Sequence, residues 1–74
     1  MKYRVFTNDI GPNQFSCLRD ITAHTLAQAK GQARQCIASW ETKALVVPHS
    51  HPDLWPDSKT GTIKPEAEAY IVTR

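Results

Sequence analysis

The sequence predicts an α+β protein in which one amphipathic helix covers an antiparallel sheet of three to four strands, in the order β-β-α-β-β. Near the middle of the chain, apolar residues recur at three- and four-residue steps after a capping residue, as in an amphipathic helix. The segments on both sides of it are short and include β-branched and aromatic residues, as in strands. One such helix and several short strands close as a two-layer sandwich.

The first two strands are predicted to form a hairpin. Residues Lys2–Thr7 mix aromatic, β-branched and charged side chains, which suits a half-exposed strand. The segment Asn8–Asn13 is dense in turn-forming residues and is expected to end that strand. A second strand is predicted over Phe15–Ile21, and three of its residues are expected on one face: Phe15, Cys17 and Ile21.

The central helix is predicted over Leu26–Ser39. Thr25 is a suitable N-cap, and Gln28 completes a capping box in which each side chain satisfies a free backbone N–H. Gly31 weakens a helix interior by about 1 kcal/mol relative to alanine, so we expect it where the helix runs close over the sheet. The apolar face, which is expected to place Trp40 in the core, consists of residues at helical spacing: Leu26, Ala29, Ala33, Cys36, Ile37 and Trp40.

The remaining part of the chain is predicted to contain two further strands separated by a long loop. The third strand is expected over Thr42–Val47 and is ended by Pro48. The segment His49–Gly61 shows no periodicity and is interrupted by prolines, which indicates an ordered loop of a length that often carries function. The last strand is predicted over Ala67–Thr73, with two residues on one side: Tyr70 and Val72.

Length and composition limit the classes of protein to consider. A chain of 74 residues forms one domain, residues 1–74, with a modest core and little spare packing for a substrate cavity. The hydrophobic share of 41% and the charged share of 22% are those of a globular protein and argue against disorder. The net charge of +2 permits an acidic protein or a nucleic acid as partner without requiring either.

Cysteine usage and hydropathy predict a cytoplasmic protein without a membrane segment. Two cysteines are fewer than a disulfide-stapled secreted domain of this size carries, so Cys17 and Cys36 are expected as thiols. The N-terminal residues do not resemble a signal peptide. The longest apolar run, Ala44–Pro48, is too short to span a bilayer.

The most suggestive chemical pattern is His49-x-His51 followed by Asp53. These side chains could ligate zinc together with a cysteine, but the spacing matches no common structural zinc pattern, and two solvated loop histidines are the favoured interpretation. Cys17 and Cys36 are expected as small buried hydrophobes on apolar faces and not as nucleophiles. We therefore expect no cofactor, no small-molecule substrate and no enzymatic activity.

Two sets of residues are candidates for binding a partner. Leu54 and Trp55 lie in a loop stiffened by prolines, where they either anchor an interface or fold back to cover the open end of the core. Basic residues form the second set, either as solvated side chains or as patches that meet phosphates or an acidic protein. They comprise one pair on the exposed flank of the helix and one pair on the first strand: Lys30 with Arg34, and Lys2 with Arg4.

The segment Ile21–Lys30, with Ala33 and Cys36 after it, resembles part of small phage-encoded inhibitors, in particular some type I-F anti-CRISPR proteins with a β-β-α-β-β plan. The shared pattern is a strand, a Thr cap and a helix that begins Leu-x-Gln-Ala-Lys. The resemblance implies a phage protein that binds and blocks a host nucleoprotein machine, with Lys30 and its neighbour Arg34 in the contact. A phage regulator that binds the host RNA polymerase is a related interpretation.

Three functions are therefore weighed on the sequence. The first is an inhibitor or regulator of transcription or of another host nucleic-acid-processing complex, acting through protein–protein contacts. The second is a module that binds DNA or RNA directly. The third is a small metal-binding domain that uses His49 and His51.

Overall fold

The computed structural model describes residues 1–11 and 14–74. The described residues form a four-stranded antiparallel sheet with one helix, which confirms the predicted α+β class and the order β-β-α-β-β. The elements are β1 (Lys2–Gly11), β2 (Gln14–Thr22), α1 (Leu26–Gln35), β3 (Lys43–Pro48) and β4 (Ile71–Thr73), with two short 3₁₀ helices at Pro52–Leu54 and Pro65–Tyr70. The strands lie side by side in the order β2-β1-β3-β4.

One face of the sheet packs against α1. Tyr3 and Val5 of β1 and Ala44 and Val46 of β3 point to this face, because alternate residues of a strand share one side. They form a core cluster whose other buried members come mainly from the helix and its ends: Ala23, Ala29, Ala33, Ile37 and Val72.

The opposite face is covered by the long connection between β3 and β4. Phe6, Phe15, Leu45 and Val47 point to this side and are buried, together with Ala67 of the second 3₁₀ helix. Partly buried residues of the connection and of β4 pack onto them: Leu54, Trp55, Ile63, Tyr70 and Ile71. Because β3 is covered on both faces, five of its six residues are buried.

The N-terminus of α1 has the predicted cap. The Thr25 side chain accepts a hydrogen bond from the Gln28 N–H at 3.2 Å, and the Gln28 side chain accepts one from the His24 N–H at 3.0 Å. The predicted end at Ser39 is wrong, since the helix ends at Gln35. Beyond that residue the Cys36 and Ile37 N–H groups bond to carbonyls three residues back, which tightens the last turn.

The predicted turn at Asn8–Asn13 is wrong for residues 8–11, which continue β1; Pro12 and Asn13 lie outside the described residues. The Asn8 side chain is buried and ties β1 to the start of β3. Its Oδ1 accepts from the Thr42 and Lys43 N–H groups at 3.1 Å each, and its Nδ2 donates to the Thr42 hydroxyl at 2.8 Å. Asn8 therefore stabilises the pairing of β1 with β3 and does not form a turn.

Two predictions of which residues share a face are also wrong. A register shift between Val5 and Phe6 places an extra residue in β2, so Phe15 and Ile21 pack on opposite faces of the sheet. Tyr70 and Val72 are separated as well, because the segment predicted as a strand from Ala67 forms a 3₁₀ helix up to Tyr70.

Candidate interaction surfaces

Trp55 packs against the sheet face that α1 leaves open. Its ring lies 6.3 Å from that of Phe6 and 5.8 Å from that of His49, which meets it edge-on. The guanidinium carbon of Arg4 is 4.5 Å from the indole centroid, within the range of a cation–π contact. Leu54 packs beside Trp55 on the same cluster. Both residues are half-buried here, so the loop does fold back over the core, and their role in partner binding stays a prediction.

Arg4 is also held by a carboxylate on the neighbouring strand. Its Nε donates to Oδ1 of Asp20 at 3.0 Å, and Nε2 of His49 lies 3.0 Å from the same oxygen. The Arg4 hydrogen bond, followed by that contact with His49, lowers the pKa of Asp20 to about 2 from an ordinary 3.8. The bond to Asp20 likewise raises the pKa of the Arg4 guanidinium.

The Asp20 contact leaves His49 Nε2 without an aligned hydrogen bond. Among the buried side-chain nitrogens of residues 1–11 and 14–74, Nε2 of His49 and Nε1 of Trp55 have no hydrogen-bond partner. Proximity to Asp20 and ring packing therefore hold His49 in place.

The loop histidines are not brought together as a metal site. His49 turns to Asp20, whereas His51 is exposed and contacts the Ser50 hydroxyl through Nδ1 at 3.0 Å. In the part of the chain that the structure describes, no group of three or more His, Cys, Asp or Glu side chains is arranged to hold a metal ion. The weak candidate set of His49, His51 and Asp53 gains no geometric support.

The two cysteines differ from the expectation that both are buried. Cys17 is exposed and lines an open cavity of about 330 Å³ beside Phe6, Phe15 and Trp55. Cys36 is half-buried, and its thiol lies 3.5 Å from the Gln32 carbonyl. Neither is paired in a disulfide.

The two basic pairs lie on opposite sides of the sheet. Arg4 stacks on Trp55 on the face away from the helix, and Lys2 shares its strand side. Lys30 and Arg34 line a groove between α1 and β4. Nζ of Lys30 donates to the Ala69 carbonyl at 2.9 Å, while Arg34 is exposed. No single basic patch combines the four residues.

Trp40 was predicted in the core, and this is wrong: the side chain is 76% exposed. The helix ends at Gln35, so Trp40 lies in the connection to β3 and not on the apolar face of the helix. Oε1 of the buried Glu41 accepts from the Ala38 N–H at 2.7 Å. Nη1 of Arg74 donates to the carbonyls of Ser39 at 2.8 Å and of Ala38 at 3.3 Å. The indole therefore projects from a loop whose backbone is held before it, at Ala38 and Ser39, and after it, where the Thr42 N–H donates to Asn8.

Comparison of the chain with protein families, with curated proteins and with solved structures found no match. The resemblance to phage-encoded inhibitors therefore stays a prediction. Among the described residues, the structure has no helix with the length and apolar character needed to cross a membrane.

Proposed function

We propose that the protein acts by stoichiometric binding to a macromolecular partner, as an inhibitor or regulator of a host nucleic-acid-processing complex, and not as an enzyme. The observation that carries the proposal is the exposed side chain of Trp40 on a loop whose backbone is hydrogen-bonded to Glu41 and Arg74. Tryptophan is among the residues that most often dominate the energy of protein interfaces.

The loop geometry favours an interface role for Trp40. Binding an exposed side chain costs conformational entropy, and a backbone that is already fixed lowers that cost. Glu41 and Arg74 hold the backbone at Ala38 and Ser39, before the indole, and the Asn8 side chain holds the Thr42 N–H after it, so the backbone that presents the ring is fixed. The exposed aromatic surface is then available to a partner at small cost to the fold.

The class of partner is taken from the sequence resemblance and is tested directly. The purified protein is titrated against a type I-F CRISPR surveillance complex and against bacterial RNA polymerase, with target-DNA binding and transcription as the respective activities. We expect saturable inhibition of one of them at a fixed stoichiometry. The Trp40→Ala variant is expected to lose about tenfold or more in affinity, the range of an interface hot spot.

Lys59→Ala is the matched control for Trp40→Ala. Lys59 is also an exposed loop residue, but it lies in the connection after β3. We expect its affinity and inhibition to equal those of the unaltered protein. Equal affinity of the Trp40→Ala variant would contradict Trp40 as the anchor, and absence of binding to both complexes would contradict the proposed class of partner.

Direct nucleic-acid binding is the second candidate function, and one observation favours it. The Arg74 guanidinium contacts the carbonyl of Ser39, the residue before Trp40, so a cation lies near an exposed indole ring. Single-stranded nucleic acids bind by stacking bases on aromatic rings while cations contact the backbone. Quenching of the tryptophan fluorescence by an oligonucleotide alone, lost in the Trp40→Ala variant and weakened steeply by salt, would identify this function.

A further inference from the structure

The outer edge of β4 carries backbone groups that the sheet does not use. The Arg74 N–H, just after β4, donates to the carbonyl of Thr42, the residue before β3, at 3.1 Å. In an antiparallel strand, the backbone N–H and C=O of successive residues point alternately toward the neighbouring strand and away from it. Those of Val72 point toward β3, and those of Thr73 point to the open edge. The N–H and C=O of Thr73 therefore point outward, as does the C=O of Ile71.

A groove runs along this edge, between β4 and α1. It has a volume of about 460 Å³ and is lined by residues of both elements: Ala27, Lys30, Gly31, Arg34, Ile71, Val72 and Thr73. The space beside Gly31 is open, since a Cβ built there would have no atom within 4 Å. The two charged residues of the lining, Lys30 and Arg34, are both cations.

The opposite edge of the sheet, on β2, is less accessible to a further strand. The Gln32 side chain donates to the Thr22 carbonyl at 3.2 Å and so occupies an edge acceptor. The register shift in β2 also interrupts its regular pairing positions. Bulges and capped edge groups are ways in which proteins prevent edge-to-edge association. The β4 edge has neither of these features.

We propose that the β4 edge binds an extended acidic segment of the protein partner, which adds to the sheet as a further strand. The backbone of Thr73 pairs with the segment, and carboxylates on its helix side meet Lys30 and Arg34. Strand addition to a free edge is an established mode of peptide recognition in which main-chain bonds give affinity and side chains give specificity. This inference rests on the proposed function, since it specifies the chemistry of the partner.

The test uses two short peptides, one alternating threonine with glutamate and one alternating threonine with lysine. We expect the protein to bind the glutamate peptide and not the lysine peptide, with affinity that falls as salt rises. In amide hydrogen exchange, the Thr73 N–H is expected to become protected on binding. The Val72 N–H, which already faces β3, is expected to change little.

Two variants and two controls locate the site. Arg34→Glu reverses a charge in the groove, and Gly31→Leu fills it without meeting a neighbour at the Cβ position. We expect each to weaken binding of the glutamate peptide about tenfold or more. Arg19→Glu makes the same charge reversal and Gln35→Leu introduces the same side chain beside the other edge, where both residues line a different groove. Both control variants are expected to bind the glutamate peptide normally.

The outcomes separate this inference from the proposed function. Equal binding of the two peptides, no binding, or an unprotected Thr73 amide would overturn the inference. So would occupation of the groove by an oligonucleotide or by a second copy of the chain, detected as loss of that binding in Arg34→Glu. If Trp40→Ala still weakens capture of a host complex in those cases, the proposed function stands without the β4 site. If the glutamate peptide binds as expected but neither complex does, the class of partner alone is overturned.

Discussion

The same glycine-to-alanine change is expected to have opposite effects at two positions. Gly31 lies in the interior of α1, and an added Cβ would meet nothing within 4 Å. Since glycine is about 0.8–1.0 kcal/mol less favourable than alanine in a helix, Gly31→Ala should raise the free energy of unfolding by about 1 kcal/mol. For a domain of this size that is a rise in Tm of about 4–8 °C.

Gly61→Ala should destabilise the protein by about 2 kcal/mol or more. Gly61 has a φ of 75°, a region that costs an L-residue about 1–2 kcal/mol. Its Cβ would also lie 3.0 Å from both the backbone N and O of Phe15, whose N–H donates to the Gly61 carbonyl at 2.8 Å. The added methyl group therefore strains the contact that fastens the connection to β2.

Thermal and urea unfolding of both variants, followed by circular dichroism at one pH, measures the two effects. A fall in stability for Gly31→Ala would contradict the open space around a Cβ at Gly31, and with it the geometry of the groove between α1 and β4. An unchanged stability for Gly61→Ala would refute the close approach to Phe15.

Three further predictions concern the Trp55 side of the sheet and the thiols. The lowered pKa of Asp20 stabilises the fold above the ordinary carboxyl pKa, and this contribution should disappear as pH falls from about 4 through about 2; urea midpoints should therefore show a shallower acid dependence in Asp20→Asn, and identical curves would contradict the ion pair. Trp55→Ala should lower the free energy of unfolding by about 2 kcal/mol, less than for a fully buried tryptophan, and an unchanged urea midpoint would contradict its packing on Phe6. Exposed Cys17 should react with a thiol reagent faster than half-buried Cys36, as measured on the two single serine variants, and the reverse order would contradict their placement.

The start of α1 was predictable because its determinants are local. Thr25 and Gln28 are three residues apart, and their bonds form within one turn. Beyond the end of the helix, the chain is held in part by a distant residue. Arg74 binds the carbonyl of Ser39 from 35 residues away in sequence, which helical periodicity does not reveal. Trp40 fitted the apolar spacing of a helix that had already ended.

Assigning residues to faces by alternation failed where the strand was not regular. Counting by two from Phe15 to Ile21 assumes an unbroken register, and the shift in β2 breaks it. Gly31 was expected to lie close over the sheet, and this is wrong because the residue faces the open groove. Its place on the helix followed from the sequence, but the surroundings of the helix did not.

The burial of Trp55 had a signal in the sequence that concerned a different element. Residues Ala44–Val47 are uninterruptedly apolar, a pattern of strands covered on both faces. A single helix covers only one face of the sheet, so another segment has to cover the face that carries Leu45 and Val47. The connection with Leu54 and Trp55 is the segment that does so.

Trp55 packs on the core, whereas Trp40 is exposed, so a substitution at Trp40 can test binding without a large effect on folding. Trp55 packs on Phe6 and beneath Arg4, so its removal perturbs folding and any nearby binding together. Ordering the loop that carries Trp40 costs conformational entropy, about 1–2 kcal/mol for each fixed residue. The bonds of Glu41 and Arg74 offset part of that cost, whereas the largely exposed indole contributes little packing. A change at Trp40 that leaves stability unaltered while weakening capture of a partner consequently reports on binding alone.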